Sequence, residues 1–271
     1  MDYKVYTPSD ALSKQVRYYW SLESGDDVQA PESHRIFPDG CIELIFHYSG
    51  LFRTYDEINN AQTQPLSFVH GQLTSFIEVE STGVIGIFSV RFNPAGLKPF
   101  TDTPVQDFTD ISVDVREIWG EDGTLLEKEM LGAANNEERV VIIESFLLKK
   151  LEAVSFDNSD VEYCVDAMLK SEGTVSIDKL ADELEIGKRQ LERKFIAAVG
   201  LSPKMLARII RFQNTLQLIE KKEFTNFTNV AYDGGFYDQA HFIKDFKEFT
   251  GLNPKQYFSE NLEMVKHFTF E

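Results

Sequence analysis

Apolar and polar residues alternate along the first part of the chain with the period of two that is typical of β-strands. The clearest stretch is 41–48, where Ile42, Leu44 and Phe46 alternate with more polar or exposed positions. It follows Pro38-Asp39-Gly40, a tripeptide that favours a tight turn. Further strands are predicted at 18–22, 66–70, 73–80 and 84–92. Short strands with tight turns indicate a small antiparallel sheet or barrel.

The hydrophobic period becomes helical after Gly120, which predicts helices at 124–131 and 136–151. Apolar residues of the second helix cover more than one face, so we expect it to be buried on two sides. One side would pack on its own sheet. The other would pack either within the chain or against a second copy, and a homodimer through this helix therefore stays open.

A polar break at 156–159 divides the chain into residues 1–155 and 156–271. Beyond it every periodic segment is helical. Each of two segments, about 176–199 and 229–249, contains a short helix, a tight turn and a longer helix that ends at a glycine. Helices are predicted at 161–169, 176–184, 188–199, 203–220, 229–232 and 238–249. This repeat, at a spacing of about 50 residues, predicts two helix-turn-helix motifs joined by a long helix.

The charge distribution changes what the net charge implies. The formal net charge is −17, which by itself disfavours a nucleic-acid partner because phosphate groups are neutralised by Lys and Arg. Residues 1–157 hold 12 basic and 26 acidic side chains, whereas the window 175–258 holds 13 basic and 11 acidic ones. The repeat is thus weakly basic, so we expect modest, salt-dependent non-specific binding to DNA.

Other residue types exclude several classes. Two isolated cysteines, Cys41 and Cys164, make neither a disulfide framework nor a structural zinc site. A cysteine-rich DNA-repair methyl acceptor is excluded for the same reason. The start of the chain lacks a signal peptide, and no apolar run is long enough to span a membrane, so a cytoplasmic protein is expected. His34, His47 and His70 fit no metal motif. We find no catalytic motif, and we expect no enzyme activity, cofactor or metal.

The second repeat carries a specific motif. Residues 230–257 read VAYDGGFYDQAHFIKDFKEFTGLNPKQY. With the first repeat, this region resembles the DNA-binding domain of the AraC/XylS family of transcription regulators over about residues 158–258. The stretches 35–44 (RIFPDGCIEL) and 86–94 (GIFSVRFNP) resemble, more weakly, small sensor domains that precede such domains.

The resemblance implies an α+β protein. Its N-terminal domain would be an antiparallel β-sheet or barrel sensor with flanking helices, and its C-terminal domain would be all helical. It also implies a bacterial regulator, activators included, whose partners are double-stranded DNA and RNA polymerase. The N-terminal domain would bind a small-molecule effector. A docking surface for a regulatory protein, or less readily a cryptic enzymatic activity, is the alternative for that domain.

The resemblance also assigns the residues that read DNA. On the first reading helix, Arg189, Glu192 and Arg193 would contact bases, while Lys188 and Lys194 suit phosphates. A merely solvated charged face is the alternative. The residues left on the outer face at the second reading helix are Tyr237, Gln239, His241 and Lys244. To enter successive major grooves of unbent DNA, the two helices would lie about 34 Å apart.

Overall fold

The computed structural model describes residues 1–25, 33–55, 60–153, 157–220 and 227–259. Within these ranges the chain is α+β, with strands confined to the N-terminal region and helices alone from residue 159 onward. The fold class predicted from the sequence is confirmed. None of the helices in these ranges is both long and apolar enough to span a bilayer. The proposed boundary at 156–159 lies partly outside the described residues, because 154–156 are not among them.

The strands of the N-terminal region form two antiparallel sheets. They are β1 (Asp2–Tyr6), β2 (Val16–Glu23), β3 (Ser33–Ile36), β4 (Ile42–Ser49), β5 (Phe52–Tyr55), β6 (Ala61–Thr63), β7 (Ser67–His70), β8 (Ile77–Ser81), β9 (Gly86–Phe92) and β10 (Ser112–Asp114). The larger sheet has the order β1-β2-β9-β4-β7-β10, and the smaller one has the order β3-β8-β5-β6. All pairs are antiparallel. The fold is therefore a two-sheet sandwich.

The larger sheet is buried on both faces. All seven residues of β9, at the centre of this sheet, are buried, including the polar Ser89 and Arg91. Its sequence is therefore mostly apolar on both faces. Phe46, Phe88 and Val90 point to the helices on one face. Trp20 and Ile87 point to the smaller sheet on the other. Alternation along each strand thus feeds two separate hydrophobic clusters.

Three helices cover the outer face of the larger sheet: α1 (Val115–Trp119), α2 (Glu121–Gly132) and α3 (Asn136–Glu152). Helix α3 packs its central residues Ile143 and Leu147 into this cluster with no exposed surface. Both residues belong to the chain's own core, so neither is available for contact with a second copy. The exposed apolar residue of the helix is Val141, at 69%.

The C-terminal region is a set of seven helices in the described residues. They are α4 (Ser159–Lys170), α5 (Ile177–Glu183), α6 (Lys188–Val199), α7 (Pro203–Glu220), α8 (Phe227–Asp233), α9 (Gln239–Thr250) and α10 (Pro254–Ser259). Their buried side chains form one hydrophobic cluster that includes both repeats and the long helix α7 between them. The predicted helices coincide with these, except that α10 was not predicted.

The two regions of the chain share core contacts. Phe37 and Ala95 of the N-terminal region belong to the cluster of the C-terminal helices. Phe37 lies against Phe212, with ring centroids 6.2 Å apart, and against Tyr257 at 6.0 Å. A 3₁₀ helix at Val105–Phe108 packs on α6. The N-terminal region is thus in contact with both repeats and with the helix that joins them.

Candidate nucleic-acid interface

The first motif consists of α5, a tight turn and α6. Ser176 caps α5 by accepting a hydrogen bond from the amide of Lys179. Glu185 adopts a positive φ of 53° in the turn, and the amide of Ile186 donates back to the carbonyl of Ala181 at 3.1 Å. Helix α6 begins after Gly187, whose missing side chain leaves the cap without a side-chain hydrogen bond. The turn therefore sets the angle between the two helices through its backbone.

Helix α6 is strongly two-sided. Its inner face buries Leu191, Phe195 and Val199, which recur at helical spacing. Arg189, Glu192 and Arg193 are exposed, as is Lys188. The ammonium of Lys188 lies 2.7 Å from the carboxylate of Asp178, but both side chains are largely exposed. An exposed ion pair is weak and is readily exchanged for a phosphate.

Lys194, which lies further along α6 than Lys188, has a different environment. It forms an ion pair with Asp160 of α4 at the side of the helix. Both residues line a cleft together with Lys98 of the N-terminal region. Lys194 is exposed, but in this conformation its charge is shared with a carboxylate. Of the predicted residues on α6, the other four are grouped on the first turns, where a reading helix contacts DNA.

The second motif consists of α8, a glycine turn and α9. The side chain of Asp238 accepts a hydrogen bond from the amide of His241 at 2.7 Å and so caps α9. Tyr237, just before the cap, is 87% exposed, and Gln239 and Lys244 are exposed on the same helix end. Phe242, Phe246 and Phe249 are fully buried on the inner face of α9. The predicted contact residues are thus grouped at one end of α9.

His241 is half-buried and faces the core side of this group. Its ring meets that of Phe236 edge-on, and its Nε2 lies 3.7 Å from the carboxylate of Asp245. Asp245 is itself buried and accepts two hydrogen bonds from Arg208 of α7, at 3.2 and 2.8 Å. The sequence did not single out Asp245, since a charged residue one turn from a reading position is usually solvated.

The long helix α7 holds both motifs with two arginines. Arg208 binds Asp245 and Glu248 of α9, and its guanidinium lies over the ring of Phe249. Arg211 donates to the carbonyl of Gly173, in the turn that precedes α5, at 2.7 Å. Both arginines are therefore positioning residues. Nothing in the local sequence indicates this role, because their partners are far away along the chain.

Comparison with known proteins covers the two regions separately. A family model described as a helix-turn-helix domain matches residues 180–260. Over 91 residues the chain is 36% identical to the HTH-type transcriptional regulator MtrA of Neisseria gonorrhoeae, which corresponds to 34% of this chain. The C-terminal domain belongs to the AraC family. The matched segment spans less than a third of the length of MtrA, at 30%.

Outside the AraC-family domain, a family model described as a domain of unknown function (DUF6597) matches residues 4–114. Among solved structures, ToxT from Vibrio cholerae is 15% identical, with a TM-score of 0.45, over 85% of this chain and 97% of its own. The AraC-like transcriptional activator CuxR is 17% identical, with a TM-score of 0.29, over 79% of this chain and 86% of its own. At these identities and TM-scores, neither structure indicates what this chain binds.

The sandwich in front of the AraC-family domain has a cavity of about 100 Å³ between its two sheets, which we call the inter-sheet cavity. Its wall is mostly apolar. The lining residues are Trp20, Leu22, Ile36, Asp39, Cys41, Glu43, Ile45, His47, Phe52, Gln64, His70, Gly71, Leu73, Ile77, Val79, Ile87 and Arg91. No group of three or more His, Cys, Asp or Glu side chains in the described ranges is arranged to hold a metal ion.

A buried charge cluster closes one end of this cavity. Arg91 is 2% exposed and pairs with Asp39 and, at 2.6 Å, with Glu43. Glu43 also accepts from the indole of Trp20 at 3.1 Å, and burial raises the pKa of its carboxyl. Burial lowers the pKa of His47 and of His70 to about 4, so both imidazoles are neutral near pH 7.

Proposed function

We propose that this protein is a bacterial transcription regulator of the cytoplasm that reads two successive major grooves of DNA. Helices α6 and α9 would each enter one groove. The observation that carries the proposal is the pair of exposed polar helix ends, one in each repeat of an AraC-family domain, held on the single long helix α7. RNA polymerase is the expected partner once DNA is bound. A homodimer through α3, on the side where Val141 is exposed, is a second proposal.

Roles follow from the chemistry of the exposed groups on α6. Arg189 and Arg193 can each bind a guanine through two hydrogen bonds, and Glu192 can accept one from the amino group of a cytosine. Lys188 would exchange Asp178 for a phosphate. Lys194 would contribute to phosphate binding only after it leaves Asp160, so we expect it to add less than Lys188.

The second reading helix offers a different set. Gln239 can bind an adenine through two hydrogen bonds, and Lys244 suits a phosphate. Tyr237, with most of its surface exposed, can lie along the sugar-phosphate backbone. His241 would donate or accept a single hydrogen bond, because Phe236 and Asp245 restrict its ring. We therefore propose that base reading is stronger on α6 than on α9.

The N-terminal sandwich would control this binding. Its largely apolar cavity with a few polar groups is the kind of site that binds a small molecule. This favours a small-molecule effector over a docking protein. The comparisons point to a regulator and not to an enzyme.

The test begins with selection of duplexes from a random 30-base-pair pool by the full chain. Fluorescence anisotropy over a salt series then compares the selected duplex with a scrambled one. We expect Arg193→Ala to weaken binding by about 1–3 kcal/mol on the selected duplex and to relax the preference at one base pair. Lys188→Ala should weaken both duplexes alike and reduce the salt slope by about one. Failure to select any sequence, or equal losses from both variants on both duplexes, would contradict the proposal.

A further inference from the structure

Two segments of the N-terminal sandwich have one side in the inter-sheet cavity and the other on the AraC-family domain. In the first, the 37–41 turn, Asp39 and Cys41 line the cavity. Immediately before them, Phe37 packs on Phe212 and Tyr257, and the carbonyl of Pro38 accepts a hydrogen bond from Gln213 at 2.6 Å. Gln213 is a buried residue of α7, the helix that holds both reading motifs.

The second segment runs into β8. Leu73 and Ile77 line the cavity. Between them, the ring of Phe76 lies against Gly251 at the end of α9, so close that a β-carbon on Gly251 would lie 2.5 Å from the ring. The same ring carries the guanidinium of Arg35, 5.0 Å from its centroid. Any change in the cavity wall at these segments is therefore also a change at α7 or α9.

The polar groups of the cavity define what it can bind. Every carboxylate oxygen of Asp39 and Glu43 already has a donor: Arg91 binds both residues, the amide of Cys41 binds Asp39, and Trp20 binds Glu43. Two carboxylates against one guanidinium disfavour an anion. A cation is also disfavoured, because each of these carboxylate oxygens already accepts a hydrogen bond. An uncharged ligand is the remaining class.

His70 lines the cavity, and one of its ring nitrogens is buried and unpaired. Its Nδ1 is paired with the hydroxyl of Ser112 at 2.9 Å, while its Nε2 has no partner in the protein. His47 likewise leaves its Nδ1 unpaired, but its ring is stacked between those of Phe52 and Phe68. A neutral imidazole has one N–H and one bare nitrogen. A hydroxyl group, which both donates and accepts, can pair with either form.

The volume limits the size of this ligand. One water molecule requires about 10–15 Å³ of such a cavity. At about 100 Å³, the inter-sheet cavity therefore holds roughly six to ten non-hydrogen atoms. Most of the wall is aliphatic or aromatic, which requires an apolar body.

We propose that the inter-sheet cavity binds a small, uncharged molecule with an apolar body and one hydroxyl group paired to His70. Its binding is transmitted to the reading helices by the 37–41 turn and by Phe76. This rests on the proposed function for the transmission step, but the binding step stands alone. A ligand that fits better in one placement of these two segments shifts the AraC-family domain toward the corresponding placement of α7 and α9.

The binding step is tested on the full chain without DNA, using phenol, benzene and benzoate as probes in calorimetry and thermal unfolding. Phenol should bind about threefold or more tightly than benzene, the value of one hydrogen bond, and benzoate should not bind. His70→Phe should retain benzene binding and abolish the preference for phenol, whereas His47→Phe should keep it. Absence of phenol binding, equal binding of benzoate, or loss of the preference in His47→Phe alone would overturn the proposal.

The transmission step is tested by anisotropy on the selected duplex. Saturating phenol should change the dissociation constant about fivefold or more, a usual size for coupling between two sites. Gln213→Leu should keep the thermal shift with phenol but lose this change, while Gln217→Leu on the same helix serves as the matched control. Phenol binding with no effect on the duplex would refute transmission. Phenol binding by a chain that selects no DNA would instead refute the proposed function and leave the cavity site intact.

Discussion

At the residue scale, the placement of the second reading helix depends on a charged pair that lies behind it. Asp245 is 1% exposed on the inner side of α9, and Arg208 reaches it from α7. A carboxylate at this depth is tolerated only because two guanidinium nitrogens bind it. The same pairing with Asp245 raises the pKa of Arg208.

We expect Arg208→Ala to lower the free energy of unfolding by about 3–5 kcal/mol, because it removes the guanidinium that pairs with the buried carboxylate of Asp245. The double variant Arg208→Met with Asp245→Leu should lose much less, since it removes both charges and retains apolar volume. Urea unfolding followed by circular dichroism measures both. If Arg208→Ala were no less stable than the double variant, the carboxylate of Asp245 would not need the guanidinium of Arg208.

The two cavity histidines give the protein a stability that depends on pH. Burial lowers the pKa of each from 6.5 to about 4 in the folded state. Below about pH 6.5 the unfolded chain binds a proton on each ring while the folded chain does not. The free energy of unfolding therefore falls as pH falls from about 6.5 to 4. Glu43, whose raised pKa acts in the opposite direction, is present in wild type and variants alike.

Between pH 7 and pH 5 the wild type should therefore lose more stability than His70→Phe or His47→Phe, by about 1–2 kcal/mol for each histidine. Urea unfolding at the two pH values gives this difference, and comparing slopes cancels the packing cost of each substitution. Equal slopes in wild type and variants would mean that these rings are protonated as readily in the folded chain as in the unfolded one.

At the scale of the elements, the helices could be predicted well and the strands only in part. Leu191, Phe195 and Val199 recur at helical spacing, and α6 has the predicted bounds because glycines stand at both ends. Strands β3, β5 and β6 have short sequences without a clear alternation. Pairing with the distant β8 defines β3 and β5, and pairing with β5 defines β6. Strand β8 begins at Ile77 instead of residue 73, since the preceding residues turn toward α9.

The two glycines that bound α6 have different roles, which a matched pair of variants can separate. Gly200 ends the helix with a φ of 85°, and a β-carbon there would lie 3.0 Å from the hydroxyl of Thr109. Gly187 has an ordinary φ of −66° and open space around it. Gly200→Ala should cost about 1–2 kcal/mol, because the left-handed conformation strains any side chain.

Gly187→Ser should instead stabilise the chain by a few tenths of a kcal/mol, because serine supplies the missing cap hydrogen bond. Thermal unfolding of both variants, with circular dichroism to confirm the helix content, is sufficient. A loss of stability from Gly187→Ser comparable with that from Gly200→Ala would show that this position needs glycine for a reason other than capping.

At the scale of the whole molecule, the placement of the two motifs relative to each other follows from long-range contacts that the sequence does not reveal. The repeat at about 50 residues predicted both motifs, but not what fixes them. Arg211 holds the first motif, Arg208 holds the second, and one hydrophobic cluster runs through both. Phe37 and Phe76 add contacts from the sandwich, and nothing in their local sequence distinguishes them from ordinary strand residues.

This rigid connection predicts how the protein responds to spacing in its DNA. If α6 and α9 are held at one separation, both can contact base pairs only when the two halves of the site have one spacing. Inserting five base pairs between the halves of the selected duplex moves the second half to the opposite face of the helix. Inserting ten restores the face but adds about 34 Å. Both insertions should therefore abolish the contribution of one helix.

Because each lost base-pair contact costs about 1–3 kcal/mol, loss of two or three contacts should weaken binding by roughly 100-fold or more for either insertion. Anisotropy on the parent duplex and on the duplexes with five and ten added base pairs measures this at one salt concentration. A control duplex with ten base pairs added outside the site should bind like the parent. Recovery of tight binding with the ten-base-pair insertion, but not with the five, would mean that two motifs on one chain move independently or that motifs of two chains share the site. In either case α7 would support each motif, but it would not fix the separation at which the protein reads its site.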